Sequence, residues 1–244
     1  VGADSERAWS VMERIYRPVA RAGRPIIQTD VKSAEIIKYA SNAFLATKIS
    51  FINEVANFCS LAGGNVKEVA RGMGFDTRIG SRFLYAGIGY GGSCFPKDVK
   101  ALIHTGKEHG YDFTILEAVQ AANEKQKLLP VHFLKRSLKS LKGKKIALWG
   151  LSFKPRTDDV REAPALSIIE SLLKAGASVS AFDPVATENA KMFLKSHPKL
   201  KFAKDQCGAV DGADALVVAT EWDEFRTADL ADLMKRMKGA VVID

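Results

Sequence analysis

The sequence is short of cysteine, of long apolar runs and of concentrated charge, and each shortage removes a class of protein. Its three cysteines, Cys59, Cys94 and Cys207, are odd in number, lie far apart and form no C-x-x-C pair. That spacing offers neither a disulfide framework nor a zinc site, so no metal is expected, and it suits a reducing cytoplasm. No apolar stretch approaches the roughly 20 residues that span a bilayer, so no membrane partner is expected. The net charge is +8, but the basic residues are scattered, with only short clusters such as "KGKK" at 142–145. Such a balance favours phosphates or nucleotides; without a clustered basic face, nucleic acid is not expected. An initiator methionine is also missing: the chain opens on "VGADSERAW", and it stops on the strand-like "GAVVID". Both ends read as cuts in a longer protein, and residues 1–21 read as a charged amphipathic helix, not a signal peptide.

What is present is apolar residue in quantity, 47% of 244 positions, enough for one or two cored domains. Asp4 or Ser5 can cap a helix to about Ala22, and "RPIIQT" then reads as a short strand, the last α/β unit of a preceding domain. From Val31 the pattern is helical. "SAEIIKYASNAFLATKISFINEVANFCSLAGG" has apolar residues around most of its circumference, which predicts a buried helix ended by Gly63-Gly64. "NVKEVARGMG", capped by Asn65, "PKDVKALIHTGKEHG", and a segment from Thr114 towards Leu141 follow as helices. Pro130 should kink or divide the last of these. From about position 143 the period changes: "KKIALWGLSF", "ASVSAFDP", "LKFA", "ADALVVAT" and "GAVVID" are β-rich, with helical patterns near 164–175, 186–196, 205–211 and 227–238 between them. Strict alternation predicts a doubly wound parallel sheet, so the fold class is α/β: a remnant at 1–30, a helical region at 31–141 and a Rossmann-like domain at 142–244.

"GIGYGGSCFPKD", residues 87–98, satisfies G-x-G-x-x-G through Gly87, Gly89 and Gly92. A dinucleotide fingerprint needs a strand before it, a helix after it and an acidic residue closing the next strand. "RFLYA" before the loop lacks a β-branched run and no second strand follows, so the match is accidental. The alternative is a seat for Cys94. Ser93 or Cys94 would open the next helix, with Pro96 tolerated in its first turn. A thiol there, beside Lys97, has its thiolate favoured, and the glycines would clear space for a substrate. A buried inert cysteine is the bland alternative; the density of glycine, lysine and aspartate favours a nucleophile. Lys38 and Asn42, four apart with Leu45 and Ile49 on one stripe, could donate to an oxyanion, or Lys38 could snorkel to solvent while Asn42 satisfies itself locally.

"GYGGSCFPKDVKAL", "EIIKYASNAFLATKISFINE" and "GLSFKPRTDDVREAPAL" resemble, in the right order, three signatures of the nucleotide-sugar 6-dehydrogenases of the UDP-glucose type. The resemblance implies oxidation of the sugar C6 alcohol of UDP-glucose to the carboxylate, UDP-glucuronate, with NAD through a thioester. Cys94 would be the nucleophile, Asp98 would assist proton transfer or water activation, and Lys38 and Asn42 would hold the oxyanion and a water. Phe83, Leu84, Tyr85, Ala86, Gly87 and Gly91 would line the sugar nucleotide, with Lys38 and Lys154 contacting it and Arg78 reaching the substrate of a second subunit. Lys97 and Arg161 would contact NAD. The resemblance also implies a homodimer or higher homo-oligomer, with the helix carrying Pro130 linking the domains and building the dimer. The family's NAD-fingerprint domain has no counterpart here beyond a resemblance of the first 30 residues to its last unit. GDP-mannose and UDP-N-acetylhexosamine enzymes are the neighbouring readings, and a non-catalytic nucleotide-binding or dimerisation module is the one from another class. Asp183, ending the second strand of the α/β domain, reads as a loop cap before Pro184 in preference to a ribose ligand.

Overall fold

The computed structural model describes residues 1–22 and 25–244. Ser5 caps helix α1 (Glu6–Tyr16) by accepting from the Ala8 amide, and a 3-10 turn at Val19–Ala22 follows. The expected strand "RPIIQT" is not formed over its described residues, Arg24 lying outside them. Thr29 makes only an isolated parallel bridge with Gly2, backed by backbone bonds to Val1 and Ala3.

Helix α2 (Val31–Ala62) starts where Asp30 accepts the Ser33 amide at 2.8 Å and stops at Gly63, whose φ of 78° is the left-handed cap that glycine adopts freely. It is not buried all round. Ala43, Ala46, Ile52 and Asn53 face inward, while Phe44 (66% exposed), Phe51 (50%) and Phe58 (67%) face outward. Against its inner face lie α4 (Phe95–Glu108) and α5 (Thr114–Lys127), sharing a core of Ala43, Ala46, Tyr90, Val99, Ile103, Leu116 and Val119. The short α3 (Val66–Gly74), capped by Asn65, packs at the end of α2.

Pro130 divides its helix as expected. α5 ends at Lys127, Leu128 serves as the joint, and α6 (Leu129–Leu138) restarts with the proline in its first turn, where the missing N–H is not needed. α6 buries Val131 and Leu134 against the following sheet. That sheet is wholly parallel, in the order β3-β2-β1-β4-β5, built from β1 (Lys145–Trp149), β2 (Ser178–Phe182), β3 (Leu200–Phe202), β4 (Ala215–Val218) and β5 (Val241–Ile243). Ile146 pairs with Val179 on one side and Ala215 on the other, so β1 is central and buried on both faces. α6 and α7 (Pro164–Lys174) cover one face through Leu134, Ile168, Ile169 and Leu172. α8 (Thr187–Phe193) contributes Ala190 to the same core. α9 (Gln206–Val210), α10 (Asp223–Arg226) and α11 (Leu230–Arg236) lie over the other face, where Trp149 stacks near Phe225 with centroids 5.0 Å apart.

The strand order reverses between β1 and β4, the place where open α/β sheets ordinarily take a ligand. Here Asp183 fills the turn above β1. Its Oδ2 accepts from the Leu151 amide at 2.7 Å, from the Ser152 amide and hydroxyl, and from Trp222 Nε1; its Oδ1 accepts from the Val185 and Ala186 amides. Asp183 is the loop cap that the sequence suggested.

Candidate active site

Cys94 stands at the cap position of α4 and is exposed, with Pro96 two residues inside the helix. Four residues on, Asp98 lies on the same face, its amide bonded to the Cys94 carbonyl at 2.9 Å and its side chain completely buried. Two residues of α2 meet it. Lys38 Nζ donates to Asp98 Oδ2 at 2.5 Å and Asn42 Nδ2 donates to the same oxygen at 2.6 Å. The spacing of four that placed Lys38 and Asn42 on one helix face therefore aims both at one carboxylate. Asp98 Oδ1 has no hydrogen-bond donor among the described residues, and Lys97 Nζ is 3.5 Å away. Burial pushes the Asp98 carboxyl up, but the hydrogen bonds of Lys38 and Asn42 and the charges of Lys38 and Lys97 outweigh it and hold it below the usual carboxylate range. The group is an anion at neutral pH.

The glycine loop owes its composition largely to its own chain. A Cβ at Gly91 would lie 2.3 Å from the Glu162 carbonyl oxygen, and one at Gly92 (φ 83°) would lie 2.7 Å from the Phe153 ring. A Cβ at Gly89 would meet Asn123 Oδ1 at 2.8 Å. The expectation that these glycines clear space for a substrate is thus corrected: Gly89, Gly91 and Gly92 admit neighbouring protein, and Gly91 is buried. Tyr85, Ala86 and Gly87 remain exposed, and nothing lies within 4 Å of a Cβ at Gly87. Leu84 points into the core, and Phe83, in the left-handed region at φ 66°, sets its ring edge-on to Phe95.

Buried amides, which sequence reasoning missed, hold this loop. Asn53 Oδ1 accepts from the Gly87 amide at 2.8 Å, Gln126 Nε2 donates to the Gly87 carbonyl at 2.6 Å, and Asn123 takes the Tyr90 amide while donating to its carbonyl. Asn57 Nδ2 completes the array by donating to Gln126 Oε1. The signal was available: Asn42, Asn53 and Asn57 recur on the inward stripe of α2, where polar side chains need a specific partner.

The α/β domain reaches the loop through residues 153–162. Phe153 covers Gly92, and the exposed Lys154 lies over the Phe153 ring at 5.3 Å from its centroid. The Gly92 amide donates to the Arg161 carbonyl at 2.8 Å. Arg161 is held above its ordinary value first by its hydrogen bonds to Asp159, at 2.9 and 2.7 Å, and by the Asp159 charge. Lys38, Asn42, Cys94, Asp98, Lys97, Lys154 and Arg161 are thus gathered around one loop. Arg78 is not among them; it is highly exposed and clamps Asp76 in a two-pronged ion pair at 2.6–3.2 Å.

An exposed thiol over a buried cluster of charged and amide side chains, on a helical region followed by a doubly wound parallel unit, defines a two-part α and α/β architecture built around one cysteine loop. The pattern of the UDP-glucose/GDP-mannose dehydrogenase family, central domain, matches residues 32–125, and that of the same family's UDP binding domain matches residues 147–244. The chain belongs to the UDP-glucose/GDP-mannose dehydrogenase family, a family of enzymes. It is 45% identical to the UDP-glucose 6-dehydrogenase TuaD of Bacillus subtilis over 244 residues, 100% of this chain and 52% of the relative. Its fold matches a UDP-glucose dehydrogenase of Pyrobaculum islandicum with a TM-score of 0.89 and 34% identity, over 100% of this chain and 57% of that one. A UDP-N-acetyl-D-mannosamine dehydrogenase of Pyrococcus horikoshii follows at 0.83 and 28%, over 100% and 54%. The chain spans about half the length of the curated relatives it matches.

Proposed function

We propose that this chain supplies the thiol-bearing region, about 31–141, and the UDP-binding domain, about 142–244, of an enzyme that oxidises UDP-glucose to UDP-glucuronate. The observation that carries the reading is the convergence of Lys38 and Asn42 on Asp98 one helical turn behind the exposed Cys94. Lys97, three residues after Cys94, and Arg161, whose carbonyl holds Gly92, are exposed cations that fit the anionic edge of NAD, while the remainder of an NAD site falls outside these residues. When bound, NAD supplies the hydride acceptor for each of two oxidations.

The chain's own residues carry the rest. After the C6 alcohol has become an aldehyde, the Cys94 sulfur bonds to the carbonyl carbon and the oxygen takes up negative charge, then a proton. Lys38 and Asn42 are placed to donate to that oxygen. Loss of the second hydride and the hydroxyl proton leaves a thioester on Cys94. Water then adds its oxygen to the acyl carbon, the carbon–sulfur bond breaks, and the thiol regains a proton. Asp98, held as an anion whose Oδ1 has no hydrogen-bond donor among the described residues, orients Lys38 and Asn42 and accepts from that water. Tyr85 and Ala86 offer exposed backbone to the sugar nucleotide, with the exposed Lys154 a further contact. Self-association through α2 belongs to the same reading: Ile37, Phe44, Phe51 and Phe58 repeat every seventh residue along one exposed stripe, a spacing that suits a second copy.

Trapping tests the chemistry. In the full-length protein, Lys38→Ala incubated with UDP-glucose and NAD and quenched in acid should carry one nucleotide-sugar acyl mass on the peptide containing Cys94. Full turnover in Cys94→Ala would overturn the covalent route. The relative from Pyrococcus horikoshii, named for an N-acetylated sugar, shares the fold, so the same assay with UDP-N-acetylmannosamine and GDP-mannose decides the sugar.

A further inference from the structure

Glu162 combines three features that the proposed chemistry leaves unused. Its backbone is in the left-handed region at φ 53°, unusual for a residue with a side chain. Its carbonyl packs on Gly91, three residues before Cys94. Its carboxylate reaches two helices at once: Oε1 accepts from Lys100 Nζ of α4 at 2.7 Å and Oε2 from Lys127 Nζ of α5 at 3.4 Å. Lys127 is only 2% exposed, and its other partner is Glu124 at 2.8 Å. A buried lysine charge is tolerated only when paired, so two lysines and two glutamates close a balanced network. The hydrogen bond from Lys100 is the foremost reason that Glu162 stays ionised, with the Lys127 charge adding to it against partial burial.

The elements so joined are those that place the thiol. α4 begins at Cys94, and α5 carries Asn123, which holds Tyr90. The residue before Glu162, Arg161, accepts the Gly92 amide at its backbone carbonyl, two residues before Cys94. A left-handed residue persists only where its surroundings over-determine it, and such strain is concentrated where placement matters.

We propose that Glu162 is a positioning residue for Cys94: it clasps α4 and α5 to the α/β domain and thereby fixes the glycine loop that carries the thiol. The role rests on the dehydrogenase reading, since positioning matters through what Cys94 does. Glu162 touches no reacting atom in that scheme. It acts by holding the cysteine loop to within the fraction of an ångström that reaction geometry requires.

Two substitutions in the full-length enzyme separate the side chain from the backbone. Glu162→Gly relaxes the left-handed position while deleting the carboxylate; Glu162→Gln keeps the shape and removes the charge. Both should lower kcat by about 10- to 100-fold with KM for UDP-glucose nearly unchanged, well below the melting temperature. Both should also change the rate of Cys94 alkylation by iodoacetamide, a measurement that needs no turnover. Adding Lys127→Met to Glu162→Gln removes the under-paired lysine and should recover thermal stability without recovering kcat, which a merely structural role would restore. Wild-type kcat and alkylation in Glu162→Gly would overturn the clasp, as would recovery of kcat in the double variant. If wild type itself shows no turnover with any sugar nucleotide, the dehydrogenase reading fails, and altered alkylation in the variants still supports the clasp while unchanged alkylation overturns it.

Discussion

Asp98 carries two opposed influences, and which one wins sets its role. A fully buried carboxyl is driven towards its neutral form, yet here two donors on one oxygen and two nearby ammonium groups leave it ionised below its ordinary value. A carboxylate held low is a weak proton acceptor and a firm anchor for cations. Asp98→Asn should therefore cost about 1–3 kcal/mol at neutral pH, because charge-assisted hydrogen bonds are lost and the Lys38 amine loses its counter-ion. The sign of the pH dependence follows from linkage. A depressed carboxyl stabilises the fold fully above its unfolded value, about 3.9, and that contribution vanishes as pH falls through the folded value. The gap between wild type and Asp98→Asn, read from urea midpoints at pH 7 and at pH 3, should be wide at the first and narrow at the second; an equal gap at both would contradict the ion pair. Gly91 gives a second expectation at this scale. Its Cβ position lies on the Glu162 carbonyl, so Gly91→Ala should destabilise by about 1–3 kcal/mol, seen as a lower melting temperature.

Among the elements, α2 is the one whose two faces diverge most. One face supplies Lys38, Asn42 and Asn53 to the cysteine loop; the other leaves Phe44, Phe51 and Phe58 in solvent. A phenylalanine row of this length is an interaction surface more readily than a tolerated exposure. Phe51→Glu should shift the molecular mass in light scattering to that of one chain, while far-UV circular dichroism stays native. Surface substitutions away from packed contacts alter stability by only about 0.5 kcal/mol. A mass unchanged by Phe51→Glu would place any self-association on another element.

At the scale of the whole molecule, two sets of glycines and amides among the described residues that resemble dinucleotide docking points are largely engaged by the chain itself. The loop at 87–92 is filled by Glu162, Phe153 and Asn123, and the turn above β1 is filled by the Asp183 carboxylate, which repels phosphate. A helix or turn binds an anion with free N–H groups, and those of Gly87, Tyr90, Gly92, Leu151 and Ser152 are taken. This chain alone is expected to show no saturable NAD binding at micromolar concentration in calorimetry, despite its net charge of +8. Saturable binding at that level would place a cofactor site within these residues.

Local order was legible in the residues themselves. Alternating β-rich and helical patterns announced a parallel doubly wound sheet, Asn65 and Gly63 marked helix ends, Pro130 marked the joint at Leu128, and Cys94 stood at a helix start. These follow from interactions between residues a few positions apart, which spacing encodes directly. The strand expected at "RPIIQT" failed because a strand exists only with a partner, and pairing is not a local property. For the same reason the sequence could align Lys38 with Asn42 but not show that both meet Asp98, 60 and 56 residues further on. It could show that α2 is apolar around most of its circumference but not which face the core would take. The glycine loop is the sharpest case: its composition marked close approach, and only the folded chain decided that what approaches is Glu162, Phe153 and Asn123, because the space a missing side chain leaves is filled by whatever tertiary packing brings to it.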